Sequence, residues 1–510
     1  MLIGDLLRRS AARFEDKVAF VDADRRLSFG EADRRADQVA HGLLALGLGK
    51  GHTAAILSAN RAEYPVIYFG AARAGGVLAH LSLRYTDDDL VYVLDKVDAE
   101  AIFVEAPFAA RVAKIRGRLP KLRHTILLGA GGDGDVVTLD DFTAGQPEAP
   151  PNVAIDENDP YVITFTGGTT GFPKAVLASH KARCFTATIA VAEFGLDERD
   201  VVAVVTPLFH AVGLLVWMQA AVSLGATSVF MGWDKAVFTA TVEREAISAS
   251  FLVPTQLNDL IADPGFDAKR LAGLRKINFA GAPMAPTLFQ RVRAHLPEVI
   301  FTEHYAQSEA CPITVRPPSR NDDKAGSVGR ACFGVDLAVV DGEGNPVAAG
   351  EMGEVVTRGD HLLSEYRGDP GETAAILRDG WLWTGDVGVL DEDGYLSLID
   401  RSKDMFISGG ENIYPTEIEN TLYLHDAVAE CAVFGIPDER WGEVPAAHVV
   451  LAEGAAADEA ALIDFCAARI ARHKRPRVVK FVDALPRTAV GKIQKQLMRD
   501  PYWKGRERKI

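Results

Sequence analysis

The stretch Thr164-Phe-Thr-Gly-Gly-Thr-Thr-Gly-Phe-Pro-Lys174 gathers hydroxyls, glycines and a lysine into one short loop, entered from the apolar run Tyr161-Val-Ile. These residue types suit a phosphate cradle. Gly167, Gly168 and Gly171 can reach positive φ and bring backbone N–H groups close to an anion, while Thr166, Thr169, Thr170 and Lys174 supply hydroxyls and a positive charge. The chemistry suggested is nucleoside triphosphate binding. The pattern departs from the common phosphate loop Gly-x-x-x-x-Gly-Lys-Ser/Thr, because Pro173 precedes the lysine and Ala175 follows it. A mobile loop between two strands is the alternative that the same composition allows.

Further along, Ile277-Asn-Phe leads into Ala280-Gly-Ala-Pro283, and Phe301-Thr-Glu-His leads into Tyr305-Ala-Gln-Ser-Glu309. Tyr305 has a face to stack on adenine, Ser308 a hydroxyl for the α-phosphate, and Glu309 a hard oxygen ligand for Mg²⁺. Gly380-Trp-Leu-Trp-Thr-Gly-Asp386 combines apolar anchors with a carboxylate that could accept from both ribose hydroxyls. Arg401 adds a second ribose contact or meets phosphate through its forked donors.

With Asp400-Arg-Ser-Lys-Asp404, Gly409-Gly-Glu-Asn-Ile413 and Pro486-Arg-Thr-Ala-Val-Gly-Lys492, these make a set of stretches in one order along nearly the whole chain. In them the sequence resembles the adenylate-forming superfamily of acyl-CoA synthetases, peptide-synthetase adenylation domains and luciferases. The resemblance implies an α/β fold: a large N-terminal body with mixed or parallel sheets over residues 1–400, a hinge at 401–404 with Lys403 at its centre, and a small mobile α+β domain over 405–510. It implies an ATP/AMP site of Thr166, Gly167, Gly168, Thr169, Thr170, Gly171, Lys174, Gly281, Ala282, Pro283, His304, Tyr305, Ala306, Gln307, Ser308, Asp386, Arg401 and Lys492. Lys492, Glu309, Thr166 and Lys174 are the catalytic candidates, with Glu309 on the metal. Ser408, Gly409 and Gly410 would line the channel for CoA. The family usually has Gly and Thr where this chain has Ala306 and Ser308; serine keeps the hydroxyl, and alanine narrows a pocket wall.

The implied reaction is attack of a carboxylate on ATP to give an acyl adenylate, then transfer of the acyl group to the thiol of CoA. For the acyl pocket the candidates are His210, Val212, Gly213, Gly281 and Ala306. Amino-acid-activating relatives typically place an aspartate directly after the phenylalanine of Pro207-Leu-Phe-His-Ala-Val-Gly213, where this chain has His210, so a buried ammonium would go unpaired. His210 packs beside the substrate, gates the pocket, or is a core histidine. The neighbouring apolar residues point to a medium- or long-chain fatty acid, with an aromatic acid as the alternative. A ligase loading a carrier protein shares the first step, but no carrier domain follows Lys492. A non-enzymatic ATP-binding protein is disfavoured by the presence of Lys492, Glu309 and Asp386, and a Gly-x-Ser-x-Gly hydrolase elbow is lacking.

The elements that must position these residues are legible in outline. Residues 27 to about 51 carry Ala32, Ala36, Val39, Ala40, Leu43 and Leu44 at helical spacing. Residues 53–57, 77–81, 101–104 and 125–128 read as buried strands, and 64–74 as a helix ending at Gly75-Gly76. Strands alternating with helices predict a largely parallel sheet. Residues 145–160, rich in proline and acidic side chains, read as an exposed connection. In the C-terminal part 428–435 and 446–451 read as strands and 459–470 as a helix.

At 510 residues and 48% hydrophobic the chain can fill a large core, and its net charge of −15 argues against nucleic acid as the main partner. Residues 201–233 hold no charged side chain, but Pro207, His210, Gly213, Gln219 and Gly225 interrupt them, so a strand, loop, helix and strand are expected rather than a membrane span. Five scattered cysteines and an N-terminus without a secretory core point to reduced thiols in the cytoplasm. Peripheral membrane contact and a homodimer stay open.

Overall fold

A computed structural model of the chain describes residues 1–23, 25–129, 136–166, 172–282, 284, 286–319, 324, 326–401, 404–452, 454–487 and 493–504. The first predicted helix forms as Phe29–Ala45. Ser28 caps it, its hydroxyl accepting from the Glu31 N–H while the Glu31 carboxylate accepts from the Ser28 N–H. It starts later than expected because Leu27 and Ser28 end the strand Arg25–Ser28. Ala32, Ala36, Val39, Ala40 and Leu43 are buried, and Leu44 lies at the edge of the stripe, partly exposed.

The strands Thr53–Leu57, Val77–His80, Ala99–Glu105 and His124–Leu128 pair in parallel, as their near-continuous apolar runs predict. Helices Glu63–Ala74, Asp87–Lys96 and Ala106–Ile115 connect them. Among the described residues this sheet has eight strands; Pro160–Thr166 joins it in parallel on Val77–His80, and Lys174–Ser179 then turns back antiparallel. The phosphate-loop candidate therefore connects two hydrogen-bonded strands.

A second sheet, of nine described strands, runs parallel from Val18–Asp22 through Thr227–Phe230, Val201–Val204, Ala249–Leu252, Lys276–Phe279 and Ile300–Tyr305. The largest apolar cluster lies between the two sheets. Ile56, Leu78 and Val162 enter it from one sheet, Phe20, Val204 and Phe251 from the other, with the helices Phe29–Ala45, Glu63–Ala74 and His180–Glu193 between them. Alternate residues such as Leu57 and Leu252 point to the outer faces, where separate clusters form under outer helices. The result is a helix–sheet–helix–sheet–helix layering.

Two smaller sheets complete the chain. One contains Met352–Arg358, Trp381–Leu390 and Leu396–Arg401, and the other follows residue 404 and contains Phe406–Ser408, Glu411–Ile413, Val428–Asp438, Gly442–Leu451 and Val478–Phe481. The predicted strands at 428–435 and 446–451 are longer in the structure because they pair with each other as a hairpin. The predicted helix at 459–470 ends early, as Glu459–Ala467.

Residues 201–233 form the strand Val201–Val204, a widened π-helix Val212–Met218, the helix Gln219–Leu224 and the strand Thr227–Phe230. A Cβ at Gly213 would sit 2.6 Å from the Thr206 carbonyl oxygen, so the turn into this helix needs glycine there. Among the described residues no helix is long and apolar enough to cross a membrane.

Candidate active site

The strand Ile300–Tyr305 leads into the turn at residues 306–312, which carries side chains to two places and offers backbone carbonyls at a third. Alternation along the strand sends Tyr305 to one face and His304 to the other.

On the Tyr305 side the centre is Asp386, buried in the strand Trp381–Leu390. Its carboxylate accepts from the Tyr305 hydroxyl at 2.5 Å and from Gln307 Nε2 at 2.7 Å, and Arg401 Nε lies 3.1 Å from the other oxygen. Gln307 Nε2 also donates to the Thr384 carbonyl at 2.9 Å. Arg401 faces Asp386 because the two are paired across Trp381–Leu390 and Leu396–Arg401. Burial, and then the negative charge of Asp386, push the Tyr305 hydroxyl well above its usual pKa, so it remains a donor.

Glu309 forms a second centre. Its Oε1 accepts from the Tyr366 hydroxyl at 2.6 Å, and Thr166 Oγ1 lies 3.5 Å away. Tyr366 ends the short strand Glu365–Tyr366, which pairs with Lys174–Ser179 and so comes close to Lys174 from a distant part of the sequence. Burial and the Glu309 charge hold the Tyr366 hydroxyl protonated. Lys174 Nζ pairs with Glu372 Oε2 at 2.5 Å and sits 4.9 Å above the Tyr366 ring. Neither Tyr366 nor Glu372 stood out in the sequence, where nothing in Ser364-Glu-Tyr-Arg marks a site residue.

The Glu309 carboxylate is a hard-oxygen ligand of the kind Mg²⁺ accepts. Among the described residues no cluster of three or more His, Cys, Asp or Glu is poised for a metal. An ion on Glu309 would take its other oxygens from water and phosphate, which is how Mg²⁺ is usually held.

Beneath the turn, two residues one helical turn apart on His180–Glu193 hold its backbone. Arg183 Nη2 donates to the Ser308 carbonyl at 3.2 Å and Thr186 Oγ1 to the Cys311 carbonyl at 2.7 Å. Arg183 is fully buried, and a single sequence gives no sign that this helix braces a site.

The other predicted residues fall as follows. Ala306 and Ser308 are half-buried in the turn, and Gly281 and Ala282 are exposed at the end of Lys276–Phe279. Val212 and Ala306 pack on the margin of the central cluster, and Gly213 is buried beside half-buried His210. The ring of His304 lies apart from the Asp386 group, with its centroid 4.0 Å from that of Phe194 and 6.1 Å from that of Phe251. Ser408, Gly409 and Gly410, expected in a loop, form a tight hairpin between Phe406–Ser408 and Glu411–Ile413; both glycines have positive φ, the backbone a two-residue turn demands. Gly167, Gly168, Thr169, Thr170, Gly171, Pro283, Lys403 and Lys492 lie outside the described residues. Three residues beyond Lys492, Lys495 opens the helix Lys495–Trp503 and pairs with Glu419 at 2.8 Å.

Comparison with known proteins identifies the family. Residues 7–367 match the model of the AMP-binding enzyme family, and residues 417–492 that of the AMP-binding enzyme C-terminal domain. A putative acyl-CoA synthetase, YngI, of Bacillus subtilis (strain 168) is 34% identical, with 98% of this chain and 96% of that protein covered. A feruloyl-CoA synthase of Amycolatopsis sp is 35% identical, with 92% of each covered. The crystal structure of the anthranilate CoA ligase AuaEII in complex with anthranoyl-AMP superposes with a TM-score of 0.91 at 28% identity, covering 98% of this chain and 97% of that one. The chain belongs to the AMP-binding enzyme family, among the adenylate-forming acyl-CoA synthetases.

Proposed function

We infer that this enzyme is an AMP-forming acyl-CoA ligase: it joins a carboxylic acid to ATP as an acyl adenylate, releasing pyrophosphate, and then passes the acyl group to the thiol of CoA. The observation that carries this is the turn at residues 306–312, which brings together the Asp386 group, suited to ribose, and the Glu309 group, suited to a metal-bound phosphate. The test is a panel of carboxylic acids with ATP, Mg²⁺ and CoA, reading AMP and thioester. Formation of both supports the reading, and AMP without thioester in the presence of CoA would favour a carrier-protein acceptor.

In the first step both reactants are anions. The protein has to offset their repulsion and hold carboxylate oxygen and α-phosphorus in line, which needs positioned charge rather than a protein nucleophile. Glu309 would hold Mg²⁺, which when bound neutralises phosphate charge. Ser308 and the loop hydroxyls orient phosphate oxygens, and Lys492 brings the mobile positive charge. Asp386 and Arg401 hold the ribose. Asp386→Asn keeps the shape but removes the charge that Tyr305, Gln307 and Arg401 converge on. Charge-assisted hydrogen bonds contribute about 1.5–3 kcal/mol, so the KM for ATP should rise by roughly 10- to 10²-fold with a smaller change for the acid. An unchanged KM for ATP would remove Asp386 from the nucleotide site.

The thiol must then reach the carbonyl from another side. A unit of residues 405–510 turning about a hinge at 401–404 would withdraw Lys492 and bring up Ser408, Gly409 and Gly410. Lys403→Pro, by fixing a backbone angle that must change, should slow thioester formation far more than adenylate formation. Equal losses in both half-reactions would count against a hinge there.

The acid has an apolar body, and the medium- or long-chain fatty acid read from the sequence fits the lining around Val212 and Ala306. A second reading, an aromatic acid, is favoured by the rings of Phe194, Phe251 and His304 on that side and by the relatives named for ferulate and anthranilate. The five unpaired, buried cysteines fit a reducing compartment such as the cytoplasm.

A further inference from the structure

His304 and Asn278 are neighbours on the face of the nine-stranded sheet that looks into the central apolar cluster. Phe251 and Asn278 are register partners across adjacent strands, and Thr302, which shares a face with His304, is the partner of Asn278 on the next. Asn278 is fully buried and His304 is 4% exposed. His304 Nε2 lies 2.6 Å from Asn278 Oδ1, and Phe194 and Phe251 pack on the imidazole. Yet His304 Nδ1 and Asn278 Nδ2 are both buried without a hydrogen-bond partner among the described residues. Such groups carry a desolvation penalty unless a bonding partner meets them.

What the pair offers does not depend on how the amide is turned. With Oδ1 facing the ring, the proton sits on Nε2, leaving Nδ1 as an acceptor and the amide N–H as a donor. With the amide reversed, Nδ1–H becomes the donor and Oδ1 the acceptor. Either way one donor and one acceptor are left over, and a hydroxyl can donate to the one or accept from the other. Burial pushes the imidazole pKa down to about 3, so a neutral partner is favoured. Ala306, two residues beyond His304, borders this cluster together with Val212, and both are among the residues assigned above to the acyl pocket.

We propose that His304 and Asn278 are specificity-determining residues that receive a hydroxyl on the body of the acid, so that the preferred substrate is a hydroxy-substituted aryl or alkyl carboxylic acid. This rests on the ligase reading and on the placing of the acyl pocket beside Ala306. A pocket built to hydrogen-bond a substrate hydroxyl discriminates strongly against the analogue without it, because its own polar groups are then left unpaired.

The test uses the full chain with matched pairs of acids: arylpropenoic acids with and without a ring hydroxyl at each position, and alkanoic acids of graded length with and without a terminal hydroxyl. The expected result is a member of one series for which the wild-type kcat/KM exceeds that of its unsubstituted partner by about tenfold or more. His304→Leu should bring that ratio to near one or below, a ratio in which any loss common to both acids cancels, and the double variant His304→Leu, Asn278→Leu should do the same with both polar groups gone. Wild-type ratios near one throughout both series would overturn the proposal whatever the variants do, as would a preference that survives His304→Leu. The ligase reading fails separately, if no acid of either kind yields AMP and thioester, and takes the proposal with it.

Discussion

Lys492→Ala should lower the rate of acyl-adenylate formation by about 10²–10³-fold, the usual loss when one well-aimed charge is removed from a transition state. The reason is the charge inventory of the first step. Among the described residues, Lys174 is already paired with Glu372, and Arg401 with Asp386. An additional cation is therefore needed where carboxylate and triphosphate meet, and Lys492 is the candidate the family resemblance supplies. The substitution should leave the fold intact, because the following helix is fastened by the pair of Lys495 with Glu419. ATP–pyrophosphate exchange measures the first step alone, and transfer from preformed acyl adenylate to CoA measures the second. The first should collapse and the second should stay within a few-fold of wild type, with an unchanged thermal midpoint. Near-normal exchange would refute the role of this lysine.

Glu309→Gln should have an effect of similar size but of a different kind. The amide oxygen can still accept from the Tyr366 hydroxyl, so the local geometry survives while the negative charge is lost. A neutral ligand holds Mg²⁺ less well, and adenylation should fall by about 10²–10³-fold at ordinary Mg²⁺. Raising Mg²⁺ should recover part of the loss, which distinguishes a metal ligand from a structural carboxylate. The check is a Mg²⁺ titration of pyrophosphate exchange for both proteins, with binding of ATP measured in the presence and absence of the ion. If the variant shows the wild-type Mg²⁺ dependence, Glu309 does not hold the metal.

The central α/β body was legible because its signals are local. The strand Thr53–Leu57 has the bounds that its apolar run gave, and the following helix and strand, Glu63–Ala74 and Val77–His80, differ from expectation by one residue at an end. The misjudged ends have tertiary causes: residues 27 and 28 belong to a strand because a neighbour pairs with them, and 428–435 extends because its hairpin partner does. The start of the widened helix at Val212–Met218 likewise depends on close contact of Gly213 with the Thr206 carbonyl, which no periodicity registers. Within the candidate site, the motif residues were visible as types in sequence, but their partners were not. Tyr366 on Glu309, Glu372 on Lys174 and Arg183 under Ser308 each join residues more than fifty positions apart.

By itself, then, the sequence determined the chemistry on offer, since a glycine-rich hydroxyl loop, a carboxylate after a tryptophan pair and a late lysine are properties of residue type and order. Only the tertiary structure decided which groups are already occupied and which stand open. Alternation along one strand turns Tyr305 toward Asp386 and His304 toward the apolar cluster, so adjacent residues serve opposite sides of the turn. That division depends on which layers pack against each face of the sheet, and packing between distant segments is information that no short window of sequence contains.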